Sequence, residues 1–238
     1  MTAALLATMP GQVWRLAASD PAGPLFVTSY GSDPLKTVLS AVDQRGQVQW
    51  RRDFPGTGRP WSRVSAQGIA GDGTFLIGAQ GYGAFETVLL ARDGTTTTRW
   101  PSHGALTVTA DGTIRTAEMD NRQPSPTQFR HLSPGGDLDN GPHLPGYYTA
   151  PPATDTHGTT VLWRGGSLTA IDADSTTHHL HTLPGTGITT RTLILEDGLV
   201  ALALDSDLHL LPTPLGPLAP GPWPCTDHNL AGNPAHSN

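Results

Sequence analysis

An apolar residue followed by Pro-Gly recurs along the chain as Met9-Pro10-Gly11, Phe54-Pro55-Gly56, Leu144-Pro145-Gly146 and Leu183-Pro184-Gly185, and Trp100-Pro101-Ser102 fills the one gap. The prolines stand 45, 46, 44 and 39 residues apart. Pro and Gly are the strongest punctuators of local structure, so marks at this interval delimit repeated units. Between the marks the chain reads as short Thr-, Val- and Leu-bearing segments separated by tight corners, a composition that suits pleated, half-buried strands. A period near this length with four short strands in each unit is the signature of a β-propeller blade. The expected fold is therefore all-β, a five-bladed β-propeller with four-stranded antiparallel blades.

The first repeat sets the pattern. Strand A runs Gln12 to Ser19, strand B Leu25 to Ser29, strand C Thr37 to Val42 and strand D Gln47 to Phe54. The second repeat copies it between Arg63 and Trp100. The third gives A, B and C from Ala105 to Leu132, with Pro134-Gly135-Gly136 closing it. The fourth runs from Tyr148 to Leu183, and the fifth gives A, B and C from Thr190 to Leu211. Thr2 to Thr8 stands where a strand D would precede its Pro-Gly mark. It is expected to pair with the fifth blade as outermost strand, closing the ring and removing a free edge. Leu215 to Pro220 is the rival closing strand. On this reading residues 1–221 form one five-bladed domain and 222–238 an appended coil.

Charged residues make up only 14% of the chain, the formal net charge is −6, and Lys36 is the only lysine. No basic stripe is present, so a nucleic-acid partner is not expected. The single cysteine, Cys225, rules out an internal disulfide and a Cys-rich metal site. Met1 to Met9 has no basic n-region and too short an apolar run for a signal peptide. No stretch reaches the roughly 18 apolar residues of a membrane span. The expectation is a cytoplasmic protein with no membrane partner.

Residues 40–50 carry Ala41, Asp43, Gly46 and Trp50 at spacings that resemble the quinoprotein-type (PQQ-like) propeller repeat. Weaker echoes run from Leu90-Ala91-Arg92-Asp93-Gly94 to Trp100 and over Leu168 to Asp172. The resemblance implies a propeller built from such repeats. It does not extend to the quinone: the dehydrogenases of that family have eight blades and a calcium site, and many have a vicinal disulfide. No cofactor is expected here.

The two ends of such blades differ. The A-to-B and C-to-D connections are Asp-Gly corners or their equivalents, at Asp72-Gly73, Asp93-Gly94, Asp111-Gly112 and Asp197-Gly198, and need no function. The D-to-A and B-to-C connections are longer and carry the chemistry, as loops on rigid scaffolds do. They hold Tyr30, Trp61, Arg63, Tyr82, His103, Glu118, Asp120, Tyr148, Arg164, Arg191, Asp205 and Asp207, among others. Arginine offers a planar fork for carboxylate or phosphate, and Tyr and Trp offer flat apolar walls with a polar handle. The leading expectation is a small organic or peptidic ligand bound on this face and in the central funnel by Arg63, Arg191, Trp61, Tyr148, Tyr30 and Asp120. The second is a cofactor-free acid–base lyase, cyclase or isomerase of specialised metabolism, with His103, Glu118 and Tyr82 moving protons. The third is a protein-interaction scaffold. Arg63 and Arg191 stand near the starts of A strands, where each is either a ligand clamp or the partner of an acid such as Glu118 or Asp205.

Several motifs are set aside. His178-His179-Leu180-His181 lies on an outer strand and reads as solvated histidines. Cys225-Thr226-Asp227-His228 has zinc-like spacing but no second ligand pair. Leu183-Pro184-Gly185-Thr186-Gly187 matches a sortase string but lacks the following apolar span. No carboxylate pair stands on the inner strands, which argues against a glycosidase. No metal site is expected.

Overall fold

A computed structural model describes residues 8–9, 12–18, 24–30, 36–55, 63–68, 75–81, 84–102, 105–117, 127–144, 151–184 and 191–225. The chain divides into two compact units, one ending at Pro101 and the other beginning at Ser102. Apart from a single 3-10 turn, Glu196–Gly198, every regular element is a strand, and the strands form five antiparallel sheets. The all-β expectation holds.

The first unit contains two four-stranded sheets. One is β1 (Gln12–Ala18), β2 (Leu25–Tyr30), β3 (Lys36–Val42) and β4 (Val48–Pro55); the other is β5 (Arg63–Gly68), β6 (Phe75–Gly81), β7 (Ala84–Leu90) and β8 (Thr96–Trp100). Each is a simple meander in chain order.

The second unit contains three sheets. The first is β9 (Ala105–Val108), β10 (Ile114–Ala117), β11 (Thr127–Leu132) and β12 (Leu138–Leu144). The next is β13 (Ala153–Thr154), β14 (Thr160–Arg164), β15 (Ser167–Ile171) and β16 (Thr177–Thr182). The last has three strands, β17 (Leu193–Ile194), β18 (Leu199–Leu204) and β19 (Asp207–Pro212). The expected closing strand falls on Thr2 to Ala7, outside the described residues; Thr8 and Met9 are not in a strand. No ladder joins one sheet to another among the described residues.

One corner geometry recurs at the turn end of these sheets. Its first residue donates its N–H to the carbonyl of the fifth and accepts from the N–H of the fourth, as in Asp43, Gly46 and Gln47, or Ala91, Gly94 and Thr95. The fourth residue has positive φ: Gly46, Gly94, Gly112, Gly136 and Gly158 lie between 80° and 107°, and Ser175 and Gly198 at 71°. Only glycine adopts this region without strain, which is why the sequence punctuates here. An aspartate completes the corner by accepting backbone N–H groups. Asp43 Oδ1 takes those of Arg45 and Gln47, at 2.9 and 2.8 Å. Asp93 and Asp111 are held below the usual carboxylate range, chiefly by the hydroxyls of Thr95 and Thr109 and next by backbone N–H groups. These are four-residue reversals rather than the two-residue hairpins that Asp-Gly alone suggests.

The corners also bind neighbouring sheets within each unit. In the first unit Arg52 Nη1 donates to Gly94 O and to Thr96 Oγ1, both at 2.7 Å. Trp50 Nε1 donates to Arg92 O at 2.8 Å, which fixes the indole against Gly94. A Cβ on Gly94 would stand 2.6 Å from Trp50 Cδ2, so the ring occupies the space that a side chain would need. In the second unit Arg115 Nη1 donates to Gly158 O and, at 2.9 Å, to Thr160 Oγ1. His131 Nε2 lies 3.2 Å from Ser175 Oγ; within the last sheet, Thr213 Oγ1 donates to Gly198 O at 2.6 Å.

Strand β12 has no counterpart in the sequence reading, because Asp139, Asn140, Gly141 and Pro142 are all poor strand formers. It is an outer strand, where proline is tolerated. Gly141 serves packing: its missing side chain lets the Phe129 ring sit close, with Cδ1 3.0 Å from where a Cβ would be. The outer strands β4, β8 and β16 are bulged at Gln49, Thr97 and Leu180, and β12 shifts register opposite Gln128 and Arg130, a device that twists an edge away from further pairing. The three histidines of β16 go to separate partners, Asp172, Thr182 and the Pro212 carbonyl.

The core of the second unit gathers Trp163, Leu168, Ile194, Val200, Leu202 and Cys225. A smaller cluster joins Phe129, Leu144, Leu162 and Ile171. In the first unit Phe26, Leu39, Val88 and Leu90 are fully buried.

Gly94→Ala is expected to destabilise the first unit by about 2–4 kcal/mol, from left-handed strain and collision with Trp50 together, read as a lower urea midpoint. His131 supplies a pH dependence. Burial first, and the Arg115 charge second, hold its imidazole below the ordinary value of 6.5, with Asp139 opposing. A lowered folded value means that the unfolded chain takes the proton first. The stability is present above that ordinary value and is lost as pH falls through the folded one. Lowering the pH from about 7 to about 5 is expected to reduce the urea midpoint, and His131→Gln to flatten that slope.

Candidate functional site

The end of each sheet opposite the corners is where the sequence places binding. His103, Glu118, Tyr82, Trp61, Tyr148 and Asp120 lie outside the described residues. Tyr30 ends β2, paired with Gln12 and Thr37. Arg63 opens β5 opposite Gln80. Both positions are at the loop end of their sheets, as expected.

In the second unit the loop end can be built residue by residue. Apolar Val161, Leu162 and Trp163 drive β14 into the core, and the tight Gly165-Gly166 connection follows. Arg164, caught between them, is 2% exposed. Burial pushes its guanidinium down to about 10, which leaves it charged at neutral pH. Trp163 Nε1 donates to Leu183 O at 3.1 Å, and Leu183 N donates to Gly166 O at 2.8 Å, so this end of the sheet is fixed.

Sheet to sheet, Thr192 N donates to Pro151 O at 3.3 Å, bringing the start of β17 against the start of β13. Thr192 is fully buried, and among the described residues its Oγ1 has no hydrogen-bond partner. Arg191 precedes it and is partly exposed. Asp205 turns the chain from β18 to β19 at the same end of the neighbouring sheet, with φ of 52°.

The arginine on the opposite side of the unit has a different role. Arg115 is 6% exposed and joins a chain of buried hydroxyls through Nη1, while its Nε has no hydrogen-bond partner among the described residues. Thr154 Oγ1 donates to Thr107 Oγ1 at 3.0 Å and lies 3.2 Å from Thr160 Oγ1, which Arg115 itself contacts. Burial lowers its pKa, and Asp111 and Asp155 partly restore it. Every hydroxyl of this chain is occupied, so its work is to join two sheets.

The inner edges of β9 and β13 are not open. The chain after Pro212 turns back and runs along them. Leu218 pairs opposite Asp155, Trp223 opposite Val108 and Cys225 opposite Ala153. Thr154 is held on both sides: its carbonyl accepts Ala219 N at 2.9 Å, and its N–H donates to Pro224 O at 2.8 Å. Pro217 and Pro224 contribute only carbonyls, which suits residues without an N–H. Asp155, 1% exposed, uses Oδ1 for His157 N and Thr159 N and Oδ2 for Gly216 N.

Two expectations are corrected here. Leu215 to Pro220 is not the fourth strand of the last sheet, because it lies on β13. Nor does a free coil begin at residue 222, because Trp223 and Cys225 are fully buried. A proline-rich stretch reads as a tail in sequence; here its apolar side chains fill the inner face of the unit. Cys225 is a core side chain, not the first of a zinc pair. Among the described residues no group of three or more His, Cys, Asp or Glu could hold a metal ion, and no helix is long and apolar enough to cross a membrane.

The sequence reading missed Thr192 altogether and counted Arg164 only as one loop residue among many. Three apolar residues before Arg164 and two glycines after it are the local signal that its stem is pulled inward.

The fold has relatives among solved structures. It is similar to streptogramin B lyase, at 16% identity and a TM-score of 0.57, covering 87% of this chain and 71% of that one. A catalytically inactive virginiamycin B lyase from Staphylococcus aureus, solved with quinupristin, matches at 13% identity and a TM-score of 0.57, covering 85% and 70%. Regucalcin, a calcium-binding protein from Agrobacterium tumefaciens, matches at 14% and 0.56, covering 91% and 80%. No family model and no curated protein matches the sequence. At these identities the likeness shows a β-propeller-like all-β fold. The similarity to quinoprotein-type repeats rests on the repeat residues alone.

Trp223→Ala is expected to cost about 3–5 kcal/mol in urea unfolding, the range for deleting a buried aromatic side chain. The control Leu208→Ala, at a side chain 72% exposed, is expected to stay within about 0.5 kcal/mol.

Proposed function

We propose that the chain is a five-bladed propeller that binds a small organic or peptidic ligand at the loop end of its sheets. The observation that supports this most is at one end of the second unit: a buried, charged Arg164 and a buried Thr192 hydroxyl without a partner among the described residues, beside the partly exposed Arg191. A desolvated guanidinium is a strong recognition group for carboxylate or phosphate. Tyr30 and Arg63 hold the corresponding strand-end positions in the first unit. Trp61, Tyr148 and Asp120 complete the proposed contacts. Propellers of similar fold include the lyase solved with quinupristin, which supports an organic ligand for this architecture; fold alone does not assign one.

The five sheets among the described residues support the five blades proposed, and closure of the ring by Thr2 to Thr8 on β19 is part of the proposal. The last sheet has three strands where the other four have four. Leu208 and Leu210 on β19 are 72% and 55% exposed. If the ligand is converted rather than only held, His103, Glu118 and Tyr82 are the proton-moving residues.

The test is to incubate the purified protein with a metabolite extract and identify bound or altered mass. A small molecule is expected to co-purify with the wild type and to be retained at least about tenfold less by Arg191→Ala, a loss of about 1.4 kcal/mol in binding, at unchanged melting temperature. A recovered product of altered mass, abolished by His103→Ala, Glu118→Gln or Tyr82→Phe, would establish turnover. Retention of no small molecule, with a protein recovered instead, would overturn the ligand reading in favour of a scaffold.

A further inference from the structure

The corner end of the first unit carries an open groove of about 670 Å3 between its two sheets. That volume lies in the range of about 300–1,000 Å3 common for small-molecule sites. Trp50, Arg45, Arg92, Asp43, Asp93 and Gln49 line it. It is remote in kind from the loop-end site: its walls are the corners that the sequence reading set aside as having no function.

The indole of Trp50 is a fixed wall. Its Nε1 is committed to Arg92 O, Gly94 backs the ring, and the Phe26 ring centroid is 5.9 Å away. The two carboxylates are committed as well. Asp43 Oδ1 accepts two backbone N–H groups and its Oδ2 accepts Gln49 Nε2 at 2.9 Å; Asp93 Oδ1 accepts both Thr95 N and Thr95 Oγ1.

The two guanidinium groups are not committed. Arg45 and Arg92 are exposed, and neither makes a side-chain hydrogen bond or ion pair with a described residue. Both acids nearby turn Oδ1 to their own corners, and the donors lining the groove without a bond to a described residue are Arg45, Arg92 and the neutral amide of Gln44. A planar ring can lie against the immobile indole while an anionic substituent meets the arginine forks.

We propose that this groove binds small aromatic carboxylates, with the ring on Trp50 and the carboxylate shared by Arg45 and Arg92. Removing the two side chains leaves the corners intact, since the corner hydrogen bonds of residues 45 and 92 come from the backbone.

The test is calorimetric titration of the full chain with indole-3-acetate and benzoate, each beside its neutral amide. The acids are expected to bind saturably, to weaken as salt is raised, and to bind at least about tenfold more tightly than the amides. The Arg45→Ala/Arg92→Ala double variant is expected to bring the acids down to the level of the amides, with the melting temperature unchanged. Trp50→Phe, which keeps an aromatic ring, is expected to retain the preference for acid over amide. Equal binding of acid and amide, undiminished binding by the double variant, or no saturable binding of any probe up to about 10 mM would each overturn the proposal.

Discussion

The left-handed fourth residue of each corner is the constraint on which the sheets depend. A chain that reverses through this geometry turns one carbonyl out of its own hairpin. A buried or half-buried carbonyl must find a donor, and the donor here comes from the adjoining sheet. Arg52 reaches Gly94 O and Arg115 reaches Gly158 O. Where the corner residue is Ser175 rather than glycine, its hydroxyl meets His131 instead. At these three corners the same few backbone angles end a hairpin and attach it to its neighbour. Losing a corner glycine removes two kinds of order at once.

This arrangement separates the two ends of the sheets. At the corner end, polar groups are largely used up by the backbone: Asp43, Asp93, Asp111 and Asp155 all spend Oδ1 on local N–H groups. At the loop end of the second unit, Arg164 and Thr192 are both withdrawn from solvent. Arg115 sits against a chain of threonines between sheets, whereas Arg164 stands at the end that carries the longer connections.

Much of the fold was legible because its signals are stereochemical. Asp-Gly and Pro-Gly mark positions that few other residues can occupy, and alternating Thr, Val and Leu mark half-buried strands. Strand β12 was hidden because Asn140, Gly141 and Pro142 suppress every strand signal, and only the approach of Phe129 explains the glycine. The return of residues 215–225 was hidden for a related reason. Its bridges use carbonyls of prolines and single N–H groups, which leave no period in the sequence. The candidate site was legible as an end of the sheets, through Tyr30, Arg63 and Arg191. It was not legible as particular contacts, since the burial of Arg164 and of Thr192 arises from packing between sheets far apart in sequence.

The stretch that seals β9 and β13 is made after every strand of the second unit. On the ribosome, translation proceeds at about 5–20 residues per second, and the exit tunnel shields the newest residues. The three sheets of the second unit are therefore complete as hairpins while their edge strands still lack Leu218, Trp223 and Cys225. Until those residues emerge, two strand edges stand open to any extended peptide nearby, so a nascent chain of this design is most in need of a chaperone in that interval.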